Sequence, residues 1–190
     1  MAKSEYTVIN PSGKTIPVMV QVDRRLKRAA RWQKAPGGHI LMRMPPRYSK
    51  RDIPTLLRQI EQQLQRHTQI RNGRTDADLK ARADRLIHNN FNRPVHYRAI
   101  RWVGNMQQRL GSCTNGGATD GHIRLSDQMK DWPDWVVDYV IAHELMHRVH
   151  PDHSSTFWRA VRRVYPRTNE ARAWIRGYFY AQGYADEGTD

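Results

Sequence analysis

The chain has one cysteine, Cys113, in 190 residues. No intramolecular disulfide can form, and a cysteine-rich zinc site is excluded. Met1 to Lys14 contain no apolar stretch of the kind that directs secretion. The apolar stretch Trp135 to Ala142 is interrupted by Asp138 and is too short to span a bilayer. These absences predict a cytoplasmic protein with no membrane partner. There is no internal repeat, no low-complexity segment and no glycine-rich phosphate loop of the Walker type. Acidic residues are scarce in the first part of the chain. Residues 1–75 hold 16 Lys/Arg against 4 Asp/Glu, a net of +12, whereas residues 76–190 hold 16 against 14, a net of +2. The densest basic stretch, Asp23 to Lys34, carries Arg24, Arg25, Lys27 and Arg28 around the single aromatic Trp32. A solvated basic face explains such a run without a partner. Nucleic acid, held through its phosphates, is the functional alternative.

Hydrophobic spacing predicts an α+β chain, strands first and helices after. Ile16 to Val22 is rich in β-branched residues, and Ile40, Met42 and Met44 alternate after the turn signal Pro36-Gly37-Gly38. Beyond Pro45-Pro46, Ser49 is a predicted N-cap with Asp52 three residues on. Ile53, Leu56, Leu57, Ile60 and Leu64 then follow at helical spacing until Asn72-Gly73. Thr75 caps a second predicted helix. Pro94 to Val103 and a short run at Ile123 and Leu125 read as strands. Three helices follow: from Pro133 to about Val149, from the Ser154 cap to Pro166, and from Thr168 to Gly183. The expected organisation is a basic, β-rich part with one helix over 1–75 and a catalytic part over 76–190, packed as one domain.

The chemistry resides in His143-Glu144-Leu145-Met146-His147. Two histidines four apart lie on one helical face, a turn apart, so both imidazoles reach one ion. Neutral imidazole suits zinc. Glu144, next to the first ligand, is placed to take a proton from a water that the zinc acidifies, which then attacks a carbonyl. The segment therefore predicts one Zn2+ per chain and a hydrolase acting on a peptide or protein substrate. A zinc-dependent hydrolase of nucleotides or phosphate esters and a nucleic-acid-binding module with a structural zinc are the rival readings. Three residues compete to be the third ligand. Pro151 ends the helix and turns the chain, which favours His153. Glu170 would give a glutamate-ligand zincin, and His150 stands three past His147.

The runs Arg109-Leu110-Gly111-Ser112-Cys113, Asp138 to His147, Asp152-His153-Ser154 and Phe157-Trp158 resemble the YgjP-like metallopeptidases, minimal zincins similar to SprT-like proteases. The chain departs from that family's pattern with Leu110 where a Trp is usual and Asp152 where an Asn is usual. Neither position is a metal ligand. The resemblance is strongest over about residues 95–166. It implies a minimal zincin fold, His153 as third ligand and a metallopeptidase activity. Arg109 is a candidate oxyanion partner. Tyr139, one helical turn before His143, is a candidate to approach the substrate. Cys113 reads as a small buried packing residue, and the strand around Ile123 as the edge on which a peptide pairs.

Overall fold

The computed structural model describes residues 6–106 and 109–181; Gly183, the expected end of the last helix, lies outside them. The chain forms two compact units, Met1–Arg71 and Asn72–Asp190.

In the first unit, β1 (Tyr6–Ile9), β2 (Thr15–Val22), β3 (Arg31–Ala35) and β4 (His39–Met44) form a sheet of order β1-β2-β4-β3. β2 and β4 run parallel, and the outer pairs are antiparallel. Gly37 and Gly38 turn β3 into β4 with φ of 93° and 78°. In this three-residue loop, Pro36 to Gly38, two successive residues at positive φ are open to glycine at little cost. One sheet face carries Val8, Val18, Ile40, Met42 and Met44, which pack with Ile53, Leu56, Ile60 and Leu64 of α1 (Ile53–Gly73). Ser49 and Asp52 form the expected capping box, with the Ser49 amide donating to Asp52 at 2.7 Å; the box caps a short 3-10 turn that leads into α1.

The sequence reading did not anticipate β1 and β3. β3 comes from the basic run, Arg31-Trp32-Gln33-Lys34-Ala35, where a single large side chain turns inward. Trp32 packs against the core and its indole N–H donates to Gln63 at 2.7 Å, so this ring is a structural residue of the unit. The exposed Arg31 and Lys34 lie on the edge strand, where charge discourages pairing with another chain.

In the second unit, β5 (Ala99–Val103), β7 (His122–Ser126) and β6 (Gly111–Cys113) lie in that order, β5 parallel and β6 antiparallel to β7. The strand around Ile123 is thus central, with Ile123 fully buried. The short edge is β6, which corrects the expectation that Ile123 lies on the edge. α2 (Asp76–Asn90), α3 (Asp134–Met146), α4 (Ser155–Val164) and α5 (Thr168–Ala181) pack with this sheet around one core. α3 is apolar on nearly every side: Val136, Val137, Val140, Ile141 and Leu145 are all buried. Such a helix belongs at the centre of a fold. Its N-terminal end is held by charge. Arg82 of α2 reaches Asp78, Asp134 and Asp138 at 2.5 to 2.9 Å. Arg74, 5% exposed, donates to Asp134 and to the carbonyls of Met129 and Trp132.

Candidate active site

His143 and Glu144 lie in the last turn of α3, and His147 is its C-cap. The backbone continues to turn for three residues: the amides of Val149 and His150 both donate to the Met146 carbonyl at 2.9 Å. Pro151, which has no amide hydrogen, follows, and the chain reverses. Ser154 then caps α4 by accepting from the Phe157 amide. His153, one residue before that cap, comes back over α3. Its Nε2 lies 3.0 Å from Nε2 of His143. One nitrogen from each of His143, His147 and His153 falls within 4.8 Å of the others.

These three histidines fit a metal. A tetrahedral ion at about 2.0–2.1 Å from its ligands holds two nitrogens about 3.3 Å apart. Burial pushes the His143 imidazole down to about 3, with His147 and His153 contributing in the same direction. Burial also pushes His147 down, followed by the effect of His153. Both rings are thereby kept in the neutral form that binds a cation. Nδ1 of His147 lies 3.3 Å from the His150 carbonyl. A proton on that nitrogen leaves Nε2 as the ligating atom. His150 thus meets the trio through its backbone. Glu170 is exposed on α5, where its carboxylate accepts from Arg167 at 2.9 Å.

Two aromatic rings hold the histidines in place. Phe157 stacks on His147 at 4.7 Å between centroids, and Trp158 stacks on His153 at 5.6 Å. In the sequence both rings belong to the runs that carry the family resemblance; their contact with the imidazoles depends on where α4 docks. Beneath His147, Arg148 joins the helix end to the β6–β7 connection. It pairs with Asp120 at 2.9 and 3.1 Å and donates to the Thr114 carbonyl and to Asn115. Asn115 in turn donates to the His147 carbonyl at 3.0 Å.

Glu144 is 5% exposed and its carboxyl is raised to about 8 by burial. It presses against Gly111 of β6. A Cβ at position 111 would lie 2.4 Å from Oε1 of Glu144, so only glycine lets the edge strand come this close. The glycine of the Gly111-Ser112-Cys113 run is therefore part of the site. Cys113 is half-buried and its thiol is raised to about 11, first by burial and then by Glu144, so it stays protonated.

A cleft of about 410 Å3 opens over this arrangement. Tyr139 and Arg109 both line it. Tyr139 is 5% exposed, its hydroxyl raised to about 12 by burial, and its ring meets His143 edge-on at 6.1 Å. Arg109 is exposed and precedes β6. Arg172, which the sequence did not single out, also lines the cleft and lies 4.1 Å over the Trp158 ring. It arrives on α5, twenty-five residues after His147, and no local spacing signals its approach. Arg24, Arg25, Lys27 and Arg28 are exposed in the β2–β3 loop of the first unit.

The family model of the YgjP-like metallopeptidase domain matches residues 58–178, well over half of the chain. The chain belongs to the YgjP-like metallopeptidase family. It is a metallopeptidase by that membership, with the α+β architecture of a minimal zincin, and the family implies a metal. In this YgjP-like chain the three histidines are the group of described residues that could hold one. The crystal structure of the metallopeptidase zymogen of Pyrococcus abyssi abylysin is 25% identical over 55% of this chain and 94% of its own, with a TM-score of 0.41. No curated protein matches. Among the described residues, no helix is long and apolar enough to cross a membrane.

Proposed function

We propose that this YgjP-like protein is a zinc peptidase in which His143, His147 and His153 hold the ion and Glu144 is the general base. The observation that carries this reading is the division of labour at the end of α3. Three neutral imidazoles converge, while the neighbouring carboxylate lies outside the trio against an edge strand. Zinc bound there supplies Lewis acidity, polarising a carbonyl and acidifying a water. Glu144 takes the proton of the attacking water and passes it to the leaving amine. Its buried position lets it hold a proton near neutral pH, which the second transfer needs. Tyr139, neutral at every working pH, donates to the developing oxyanion, and Arg109 sits at the mouth to meet the substrate backbone. β6 offers the peptide its edge.

Three protein ligands among the described residues support a catalytic ion over a structural one, which closes with four. The single cysteine supports a cytoplasmic location. Zinc-loaded protein incubated side by side with a peptide library and a panel of nucleotides tests the reading. Cleavage of peptides that stops on chelation is expected. Phosphate release without peptide cleavage would transfer the site to phosphate-ester hydrolysis.

A second reading concerns the first unit alone. The exposed loop with Arg24, Arg25, Lys27 and Arg28, followed by the exposed Arg31 of β3, supports binding of nucleic acid through its phosphates. Binding should weaken steeply with salt, and alanine at the four loop positions should flatten the slope. No binding at low salt would remove the reading.

A further inference from the structure

We infer that Asn115 binds the substrate backbone, its side-chain amide donating to a peptide carbonyl where the open edge of β6 ends. This rests on the peptidase reading and adds a substrate-binding residue to it.

In an antiparallel pair, alternate residues turn both backbone groups toward the partner strand. The Leu110 carbonyl accepts from the Ser126 amide at 2.9 Å, the Thr114 amide donates to the His122 carbonyl at 3.0 Å, and Ser112 stands opposite Arg124. Leu110, Ser112 and Thr114 therefore face β7, and Gly111 and Cys113 present their backbone groups along the open edge. That edge is short, because the chain turns away after Thr114, with Gly116 and Gly117 at φ of 90° and 69°. The next position in the same alternation is Asn115. It lines the same cleft as Gly111, Cys113 and the histidine trio.

The Asn115 amide is held in one orientation. Its Oδ1 accepts from Nη1 of Arg148 at 2.6 Å, and its Nδ2 donates to the His147 carbonyl at 3.0 Å. A guanidinium can only donate and a carbonyl only accept, so a flipped amide would lose both bonds. Arg148 is fixed in turn by Asp120. A primary amide carries two hydrogens, and the His147 carbonyl takes one. The second has no acceptor among the described residues, on a side chain exposed at the cleft. A donor fixed in this way gives up little freedom when a ligand arrives. The acceptors along the backbone of an extended peptide are its carbonyls, and one of them meets Asn115 where backbone pairing with β6 stops. Because the same amide holds His147, that carbonyl belongs to a residue close to the bond that is cleaved.

The test uses zinc to fix the register. Tri-alanine peptides with a metal-binding hydroxamate at one end or the other are titrated into the zinc-loaded protein by calorimetry. Each amide in turn is replaced by an alkene, which has no carbonyl. One replacement should weaken binding about three- to tenfold more in the parent than in Asn115→Ala, while the others act alike in both. Acetohydroxamate, which has no peptide to reach Asn115, should bind both proteins equally. If Asn115 only caps α3, its loss loosens His147, and acetohydroxamate and every peptide weaken by one common factor. That result overturns the inference, as does a series in which every replacement acts alike in both proteins. Should Asn115→Ala not fold or not hold zinc, Asn115→Asp decides, since it keeps the shape and the pairing with Arg148 and removes the donor. A replacement that costs as much in Asn115→Asp as in the parent, at every position, overturns the inference. Cleavage of library peptides judges the peptidase reading separately. Without cleavage that reading falls, while the hydroxamate series still reports on Asn115.

Discussion

In the second unit, Arg74, Arg82 and Arg148 are each at most half-exposed and donate to carboxylates and carbonyls on neighbouring elements. In the first unit, Arg24, Arg25, Lys27 and Arg28 crowd one exposed loop, and Arg47 reaches it through the Arg28 carbonyl. The same residue type serves as internal cement in one region and as surface charge in the other. The difference follows from the supply of acids: 14 Asp/Glu over residues 76–190 against 4 over residues 1–75. An arginine enters a fold only with partners that offset its desolvation. A charge count cannot distinguish these uses; the local ratio of acids to bases begins to.

The sharpest way to test the division is at the chemistry, which lies in the second unit. Glu144→Gln should retain its metal, by elemental analysis, and lose about two to four orders of magnitude in kcat on any cleaved peptide. Next in size is the proposed third ligand, His153. His153→Ala should weaken zinc binding by more than about a hundredfold in a chelator competition, whereas Glu170→Ala should leave it unchanged. Zinc on Glu170 with His153 turned away would move the chain to the glutamate-ligand zincins.

Removal of Arg82 comes third. Arg82→Leu leaves Asp138 without its cation on a carboxyl that burial already raises. The expected loss is about 3 kcal/mol by urea unfolding.

The metal-free protein should also lose stability as pH rises from about 6.5 to 8; between about 4.5 and 6.5 the slopes of Glu144 and His143 oppose and offset each other, leaving the loss from His147, and below about 4.5 stability should fall as pH falls. His143 is depressed from 6.5 to about 3, so below 6.5 the unfolded chain takes up a proton that the folded one refuses, and stability falls as pH falls. His147, also depressed, adds to that acid-side loss. Glu144 is raised from 4.5 to about 8, so up to pH 8 the folded state retains a proton that the unfolded chain releases, and stability falls as pH rises. Each group contributes a slope of about 1.4 kcal/mol per pH unit within its window. Zinc should flatten the alkaline side, because a dication beside Glu144 favours its ionised form. Unfolding curves from about pH 3 to 8 with and without metal read both limbs.

Smallest of all should be the change from Arg24, Arg25, Lys27 and Arg28 together to alanine, within about 0.5 kcal/mol. A loss as large as that of Arg82→Leu would show that the loop charges are structural after all and erase the contrast.

Helix starts and stops were readable because they are local. Ser49 with Asp52, Thr75, Ser154, Pro151 and Asn72-Gly73 act within four residues of themselves. The histidine pair was readable for the same reason, since one helical turn sets its geometry. β3 was not, because its exposed positions, Arg31, Gln33 and Lys34, are all polar and only Trp32 and Ala35 turn inward. The edge position of β6 was hidden by its length of three residues, and by a strand order in which β7 inserts between β5 and β6. The closeness of Gly111 to Glu144, the reach of Arg172 and the pairing of Arg148 with Asp120 all join elements distant in sequence. Only packing brings them together.

The Arg148–Asp120 pair bears on self-digestion. The segment Thr114 to Gly121 borders the cleft through Asn115, and a protease must avoid taking such a neighbour as its first substrate. A peptide has to be extended to lie along an edge strand. Here the segment is folded tightly on itself, with Gly116 and Gly117 left-handed and the Gly121 amide donating back to the Thr114 carbonyl. The guanidinium of Arg148 grips both ends of that turn, at Thr114 and at Asp120. The loop beside the cleft is thereby held in a turn and not in the extended form that pairs with an edge strand.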